Sequence, residues 1–399
     1  MKFWTFGGRI MKPLQDYRFI RGVCYSGCDN EEQMRRELSY GKRVGLNSIR
    51  FWTSAVIYEE QGDAYIERVK RKVQIAYDCG YTSMPILFNG NGMTNDDEPK
   101  TLSLEYRKVQ EEFCEKMIEA LKDEPGLLMW DIMNEPMISY FLQQSPPEKR
   151  AERRARVDEF ITYFIGFVRE RDPVNAITVG YALTSSMEPT VGLCDVISIH
   201  NYDRKYEDIK REHQITSEIA AKYGKPFINT ETGCLARANP YDLVLKVCEE
   251  YNIGWYLFEL MIHGRCDTEH GIFYPDGTVR DPATIAAMFG CYRKRDGENI
   301  IVPLPNREGV AEVCIAKIKK ALKEYTCDCF DYRRSNPKEL LDACEEAANL
   351  LECCDMIPMA TPPTYMINKW RKEDKPDLDA IRKLAYDLAN RLKDICQII

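Results

Sequence analysis

Two apolar segments of the chain each end in a glutamate, whose carboxyl group can give a proton or attack carbon. The first is Leu128–Met133, followed by Asn134 and Glu135. The second is Lys225–Thr230, followed by Glu231. A buried strand does not normally end so near an acid. We therefore expect Glu135 to point into a pocket, where partial desolvation raises its pKa and suits it to protonate a leaving group.

The chain from residue 20 to about 291 alternates short, β-rich apolar runs with longer amphipathic stretches. This alternation is typical of repeated βα units around a parallel sheet. Eight such units predict an α/β protein with a closed (β/α)8 TIM barrel, since no glycine-rich nucleotide motif opens an early helix. The eight runs are Phe19–Cys24, Ser48–Trp52, Thr82–Phe88, Leu127–Met133, Ile177–Tyr181, Val196–His200, Pro226–Thr230 and Gly254–Leu260.

The amphipathic stretches between the runs predict helices. The clearest are Glu31–Val44, Tyr65–Cys79, Leu104–Lys122, Ala151–Arg171 and Tyr206–Tyr223. The fifth connection, Leu183–Cys194, contains a proline and a glycine, so we expect only a short helix or a loop there.

In such a barrel, functional side chains stand at the C-terminal ends of the strands. Glu135 and Glu231 follow the predicted fourth and seventh strands, whose ends can face one another across the central opening. Cleavage of a glycosidic bond needs such a pair, one carboxyl group to give a proton and one carboxylate to attack or to activate water. A separation of about 5–5.5 Å means retention, whereas roughly 6.5–9.5 Å means inversion.

The Asn134-Glu135-Pro136 motif and Glu231 resemble the fourth- and seventh-strand signatures of the clan of barrel enzymes that includes glycoside hydrolase family 5. The resemblance covers roughly residues 19 to 290. It implies a retaining glycoside hydrolase, with Glu135 as general acid/base and Glu231 as nucleophile. It also implies a β-linked glycoside as substrate.

Further residues match the clan's pattern at the expected strand ends. Arg50 resembles the second-strand arginine that keeps the nucleophile ionised, and Asn134 resembles the asparagine that holds the sugar 2-hydroxyl. His200 and Tyr202 lie where the sixth strand supplies groups that bind substrate and orient the nucleophile. Trp255 falls on the eighth strand, where related enzymes place a tryptophan under the sugar ring, although here it comes early in the strand.

One position after the third strand departs from the pattern. Many family 5 enzymes carry a histidine there, and this chain does not. This chain has Asn89 within the sequence Phe-Asn-Gly-Asn-Gly, residues 88–92, and we expect Asn89 to serve as a sugar ligand in its place. The departure argues against a cellulase-like subgroup.

Each of these residues also has a purely structural interpretation. Arg50 could be an ion-pair partner at the barrel mouth, His200 a core histidine, and Tyr202 a packed phenol. Trp255 and Trp52 could both be core residues.

Neighbouring residues leave similar alternatives open. By strand alternation, Trp130 should point into the helix layer, and Asp131 is expected to satisfy nearby backbone donors. Glu259 and His263 could line the substrate rim or pair with Arg265.

The composition gives expectations about partners and location. The net charge of -8 and the pI of about 5.4 argue against a nucleic-acid partner. No segment approaches a membrane span, and the residues 1–12 are too broken by glycine and arginine for a signal peptide. We therefore expect a cytoplasmic protein, in which reduced thiols are the default for the 16 cysteines of a large chain.

The pattern changes after about residue 295 to helices without strands, namely Val310–Tyr325, Pro337–Leu351 and Pro376–Ile395. We therefore divide the chain into a catalytic barrel, residues 1–295, and a helical C-terminal module, residues 296–399. The module could be a lid, a brace or a surface for homo-oligomerisation. The group of cysteines at positions 327, 329, 344, 353 and 354 matches no usual zinc spacing, and these cysteines are interpreted as packing residues.

The sequence thus predicts a retaining glycoside hydrolase that acts on a β-linked glycoside or small oligosaccharide through a covalent glycosyl-enzyme intermediate. Two carboxyl groups supply the proton transfers and the covalent step, so the scheme requires no metal or organic cofactor. A transglycosidase with the same carboxylates and a catalytically silent carbohydrate-binding barrel are the alternatives.

Overall fold

The computed structural model describes residues 5–6, 9–10, 14–25, 27, 30–235, 237–262, 270–293, 307–326, 337–353 and 363–395. His263 and Arg265, and the cysteines at 327, 329 and 354, lie outside the described residues. The described chain forms two compact units, residues 1–293 and 294–399.

Eight parallel strands close into a barrel, in which each strand pairs with the next along the chain and the eighth pairs with the first. The prediction of a (β/α)8 barrel is confirmed. The strands are β1 Arg21–Cys24, β2 Ser48–Trp52, β3 Thr82–Asn89, β4 Met129–Asn134, β5 Ala176–Tyr181, β6 Ile197–Asn201, β7 Phe227–Thr232 and β8 Trp255–Leu257. A short antiparallel pair, Thr5–Phe6 with Arg9–Ile10, precedes the barrel.

Helices follow the strands and surround the barrel. They are α1 Glu31–Arg43, α2 Ala55–Gln61, α3 Asp63–Asp78, α4 Leu104–Leu121, α5 Tyr140–Gln143, α6 Arg150–Arg171, α7 Glu188–Val191, α8 Tyr206–Tyr223, α9 Tyr241–Glu250 and α10 Pro282–Met288. The thin fifth connection contains the four-residue α7, as its proline and glycine predict.

Local sequence fixes where these helices begin and end. Asn30 caps α1 by accepting a hydrogen bond from Gln33 N–H, and Ser103 caps α4 in the same way. Gly224 ends α8 in the left-handed region, with a φ of 63°, which glycine adopts without steric cost.

The N-terminal half of the barrel interior is filled by side chains. The hydroxyl of the fully buried Tyr256 forms a hydrogen bond of 2.7 Å with the Ser48 hydroxyl. The Tyr256 ring occupies the space that a Cβ on Gly22 would need. The other members of this layer are Tyr17, Ile20, Met84, Leu128, Met129, Ala176, Val196 and Ile228. Because this end is packed, a substrate can approach the barrel interior only from the C-terminal ends of the strands.

The second unit is helical, with α11 Arg307–Thr326, α12 Lys338–Cys353, α13 Pro363–Trp370 and α14 Leu378–Ile395. Its core is rich in alanine and leucine, and Cys314 and Cys344 are buried in it as packing residues. Burial raises the pKa of the Cys344 thiol to about 12. Among the helices that the structure describes, none is long and apolar enough to cross a membrane.

Candidate active site

Glu135 follows β4 directly, and its backbone is bent to bring the carboxylate over the barrel mouth. Its φ of 44° lies in the left-handed region, which a residue with a side chain rarely adopts. The bend is held on both sides, because Glu135 N–H donates to the Gly180 carbonyl and Glu135 C=O accepts from Ile138 N–H. Strain of this kind persists where surrounding structure enforces it, often at functional sites.

Glu231 lies near the end of β7 and uses both carboxylate oxygens in hydrogen bonds. Arg50 donates to Oε2 at 2.7 Å, and the Tyr202 hydroxyl donates to Oε1 at 2.7 Å. Burial and the charge of Glu231 raise the pKa of Tyr202 well above its ordinary value. The phenol therefore remains a donor, and the two donors fix the orientation of the Glu231 carboxylate.

Arg50 links three acceptors beneath the mouth. Besides Glu231, its guanidinium donates to Asp131 at 2.9 and 3.0 Å and to the Asn134 amide oxygen at 2.7 Å. Burial opposes its charge, but Asp131 and Glu231 outweigh burial and raise the pKa of Arg50. Asp131 also accepts from Gly180 N–H at 3.2 Å, so it satisfies a backbone donor as expected.

His200 lies between the two glutamates. Its Nδ1 is 3.0 Å from Glu135 Oε1 and 3.8 Å from Glu231 Oε2. Its Nε2 has no hydrogen-bond partner in the described part of the chain and faces Gly180, where a Cβ would come within 2.7 Å. The contact with the Glu135 carboxylate requires a proton on Nδ1, which His200 donates to Oε1.

The two carboxylates are close together. One oxygen of Glu135, one of Glu231 and one nitrogen of His200 all lie within 4.8 Å of one another. This spacing between nearest atoms is on the scale of the about 5–5.5 Å that separates the carboxyl groups of a retaining pair. The geometry fits direct attack by one carboxylate on the sugar.

The charge state of Glu135 differs from the sequence-based expectation. Burial raises its pKa, but the hydrogen bond and charge of His200, the Asn91 amide and the charge of Arg50 outweigh burial and lower the pKa to about 2. The expectation of a raised pKa is wrong, because it counted desolvation and not the hydrogen-bond donors and charges around the carboxylate.

Asn91 is a functional candidate that sequence reasoning missed. Its Nδ2 donates to Glu135 Oε2 at 3.0 Å. It lies in the turn Gly90–Gly92, which approaches so closely that a Cβ on Gly90 would be 2.3 Å from the Glu135 carbonyl oxygen. The two glycines around Asn91 in the sequence were the available signal, since glycine permits close backbone approach.

Asn89 is exposed beside Asn91 at the end of β3. Its amide oxygen accepts from Asn134 Nδ2 at 3.1 Å and from Asn91 N–H at 3.3 Å. Asn89 therefore holds both Asn134 and the Asn91 turn. Its proposed contact with a sugar stays a prediction.

The structure places Trp255 away from this site, so its assignment as a sugar platform is wrong. It is the first residue of β8 and pairs with Arg21, the first residue of β1. Only 4% of it is exposed, and the Arg21 guanidinium lies 5.5 Å from its ring centre. The strand begins at Trp255 and reaches the mouth three residues later. Trp255 therefore lies at the N-terminal end of the barrel, opposite to the end that holds the two glutamates.

Two other aromatic side chains stand at the mouth. Trp52, at the end of β2, and Phe258, just after β8, meet edge to face with ring centres 5.7 Å apart, and both are partly exposed. The Trp52 ring also lies 5.4 Å from the Arg50 guanidinium. These rings, and not Trp255, can form an apolar wall for a sugar.

The remaining tryptophan and acid near the strands are buried. Trp130 points into the helix layer, where its Nε1 donates to Asp172 at 2.8 Å, as alternation predicts. Glu259 is 2% exposed, and its carbonyl accepts from Ile272 N–H. Its proposed place at the substrate rim stays a prediction.

A closed parallel barrel with a carboxylate pair at the C-terminal strand ends is the architecture of barrel glycosidases. The family model for cellulase, glycosyl hydrolase family 5, matches residues 20–264. This match covers more than half of the chain, so the chain belongs to glycosyl hydrolase family 5. The helical unit lies beyond the matched residues.

Solved structures share the barrel at low identity. An endo-1,4-β-mannanase from Rhizomucor miehei is 15% identical, with a TM-score of 0.53, over 68% of this chain and 92% of that one. An endoglucanase from Pseudomonas stutzeri is 15% identical, with a TM-score of 0.52, over 69% of this chain and 94% of that one. These similarities show the fold.

A curated relative, the β-glucuronidase of Sus scrofa, is 28% identical over 153 residues. The match covers 36% of this chain and 21% of the relative. The chain therefore spans about a fifth of that relative's length.

Proposed function

We propose that the chain is a retaining glycoside hydrolase that cleaves a β-linked glycoside or small oligosaccharide by double displacement. The observation that carries the proposal is the approach of one Glu135 oxygen and one Glu231 oxygen to within 4.8 Å at the barrel mouth, which fits the close spacing of a retaining pair. Membership of family 5 supports the same reaction.

In the first step, Glu231 attacks the anomeric carbon and forms a covalent glycosyl-enzyme intermediate. Arg50 and Tyr202 hold the carboxylate ionised and in one orientation, so little reorganisation precedes attack. Asn134, fixed by Arg50 and Asn89, presents its amide to the sugar hydroxyl beside the reacting carbon.

Glu135 must be protonated when the bond to the leaving group breaks. A sugar that covers the mouth excludes water and can displace the Asn91 amide from Oε2, and both effects raise the pKa of Glu135. His200 holds the other oxygen, so the proton is carried on the oxygen that faces the substrate. In the second step the ionised Glu135 takes a proton from water.

The substrate proposal rests on the clan and on the walls of the mouth. The relatives and structural neighbours are named for mannan, glucan and glucuronide cleavage, which are all reactions of β-linked sugars. Trp52 and Phe258 supply apolar surface for one face of a ring.

A panel of nitrophenyl β-glycosides tests the proposal with wild type, Glu231→Ala and Glu135→Ala. We expect Glu231→Ala to lose activity by about 10⁴-fold or more and to regain it with azide, giving a glycosyl azide of inverted configuration. Glu135→Ala should regain activity with azide and give the retained configuration. Exposed Glu60 on α2 provides the matched control, Glu60→Ala. Full activity of Glu231→Ala would overturn the mechanism, and sugar acceptors added to wild type separate hydrolysis from transfer.

We also propose a cytoplasmic location, an absence of nucleic-acid partners, and homo-oligomerisation through the helical unit. The 16 cysteines and the net charge of -8 support the first two. Val313, Tyr365 and Tyr386 are more than half exposed on the helical unit and support the third. Light scattering of the full chain and of Tyr386→Ser tests the assembly, and fractionation of expressing cells tests the location.

A further inference from the structure

An arginine that the mechanism does not use lies beside the nucleophile's hydrogen-bond donor. The guanidinium of Arg237, in the loop after β7, lies 4.4 Å from the ring centre of Tyr202. The hydroxyl of that same ring donates to Glu231 at 2.7 Å. A second arginine, Arg204 from the loop after β6, donates to the Arg237 carbonyl at 2.9 Å. Both arginine side chains are exposed.

The loop that carries Arg237 is held by several hydrogen bonds. Cys234 and Asn239 form two backbone hydrogen bonds with each other, and Ala238 N–H donates to the Leu235 carbonyl. The Asn239 side chain accepts from Gly233 N–H and donates to the Asp203 carbonyl. These hydrogen bonds hold the backbone of the loop from which the Arg237 guanidinium reaches the Tyr202 ring.

The charge of Arg237 is not balanced by an acid within the described chain, where no carboxylate lies within ion-pair distance of it. Asp203, the acid next to Arg204, accepts instead from the Asn201 amide at 2.8 Å. Arg50 already pairs with Glu231 and Asp131 inside the barrel. A neutral sugar would leave Arg237 without a carboxylate or other anion to bind.

An anionic group on the substrate would be repelled by the negative charge at this mouth unless a cation lay close to it. The carboxylates of Glu135 and Glu231 repel it, and a cation close to the sugar site is needed to offset that repulsion. A guanidinium offers parallel N–H donors that match the two oxygens of a carboxylate, or two oxygens of a phosphate. Arg237 has that chemistry and stands against the ring that contacts the nucleophile.

We propose that the site takes a sugar that carries an anionic group, such as the carboxylate of a uronic acid, and that Arg237 binds that group. Arg204 holds the loop and adds a second positive charge at the same rim. This inference rests on the proposed function, because it assigns the substrate class of the same carboxylate pair.

Kinetics with matched substrates test the inference. The full-length protein is assayed on nitrophenyl β-glucuronide, β-galacturonide and a phosphorylated β-glucoside, against the neutral β-glucoside and β-galactoside. We expect kcat/KM to be higher for at least one anionic substrate, and Arg237→Gln to lower that value by roughly 10- to 100-fold. The neutral substrates should change less than about threefold. Arg237→Lys should restore part of the loss, and the distant exposed variant Arg211→Gln should change neither class.

The outcomes separate this inference from the proposed function. Hydrolysis of neutral substrates only, with azide rescue of Glu231→Ala, would overturn the anionic substrate and leave the glycosidase. An equal loss on both classes in Arg237→Gln would also overturn it, because Arg237 would then act by supporting Tyr202. The preferred anion, uronate or phosphate, identifies the source of the charge.

A binding measurement decides the inference even if every substrate in the panel is resistant to cleavage. Calorimetry with free glucuronate, galacturonate, glucose phosphate and glucose compares wild type with Arg237→Gln. Tighter binding of an anionic sugar by wild type than by Arg237→Gln supports the inference. Equal binding of all four sugars by the two proteins contradicts it.

Discussion

The Asn229 amide oxygen accepts a hydrogen bond from the backbone N–H of Glu231 at 3.2 Å. The two side chains nevertheless point to opposite sides of β7. Asn229 points into the helix layer, where its Nδ2 lies 3.4 Å from Nε2 of His213 on α8. The pairing with β6 shifts here, since Ile199 faces Asn229 and His200 faces Glu231. One residue of β7 is thus extra, and this bulge turns the Glu231 side chain into the mouth.

The first prediction concerns this buried amide. Asn229→Leu should lower kcat by about 10-fold or more with little change in KM, because the N–H of Glu231 loses its acceptor and the carboxylate loses its position. Asn229→Asp keeps the acceptor and should retain more of kcat. Thermal unfolding of both variants measures the accompanying loss of stability. Wild-type kcat in folded Asn229→Leu would show that the amide does not position Glu231.

The second prediction concerns Asn91 and pH. Asn91→Ala removes a donor that lowers the pKa of Glu135, so that pKa should rise from about 2 toward its ordinary value. Because the reaction needs protonated Glu135, the alkaline limb of the kcat/KM profile should move to higher pH. Asn95 hydrogen-bonds Arg153 and provides the control variant Asn95→Ala. An unchanged limb in Asn91→Ala would contradict the assignment.

The third prediction concerns Gly180, which lies against three site residues. A Cβ there would be 2.7 Å from His200 Nε2, 2.8 Å from an Arg50 nitrogen and 3.2 Å from an Asp131 oxygen. These groups are buried and hydrogen-bonded, so none can move cheaply. Gly180→Ala should reduce kcat/KM by about 100-fold or more. Gly166→Ala on α6, where a Cβ meets nothing, is the control, and full activity of Gly180→Ala would contradict the observed packing.

The fourth prediction separates Trp255, the first residue of β8, from Phe258, just after its end. Phe258→Ala should raise KM several-fold because Phe258 stands at the mouth, whereas Trp255→Leu should leave KM unchanged. Trp255→Leu should instead destabilise the fold by about 1–3 kcal/mol, through lost burial and lost contact with Arg21. Steady-state kinetics and thermal unfolding of both variants provide the check. A raised KM in Trp255→Leu would restore the platform assignment.

The sequence by itself determined the barrel and the two strand ends that carry Glu135 and Glu231. The periodicity of apolar residues in a strand or helix depends only on neighbouring residues. The C-terminal ends of parallel strands lie at one edge of the barrel for any loop conformation. The motif around Glu135 and the matched strand positions also brought Arg50, Asn134, His200 and Tyr202 to the same edge.

Only the tertiary structure decided which neighbours surround these groups. Asn91 and Arg237 lie in loops, and contacts between loops depend on distant segments that no local pattern specifies. The lowered pKa of Glu135 arises from the hydrogen bonds of His200 and Asn91 and from the charge of Arg50, which lie on three other elements, so it could not follow from its own strand. The position of Trp255 was missed because the apolar run of β8 is longer than its three-residue ladder, and only the pairing with Arg21 shows which end of the barrel it reaches.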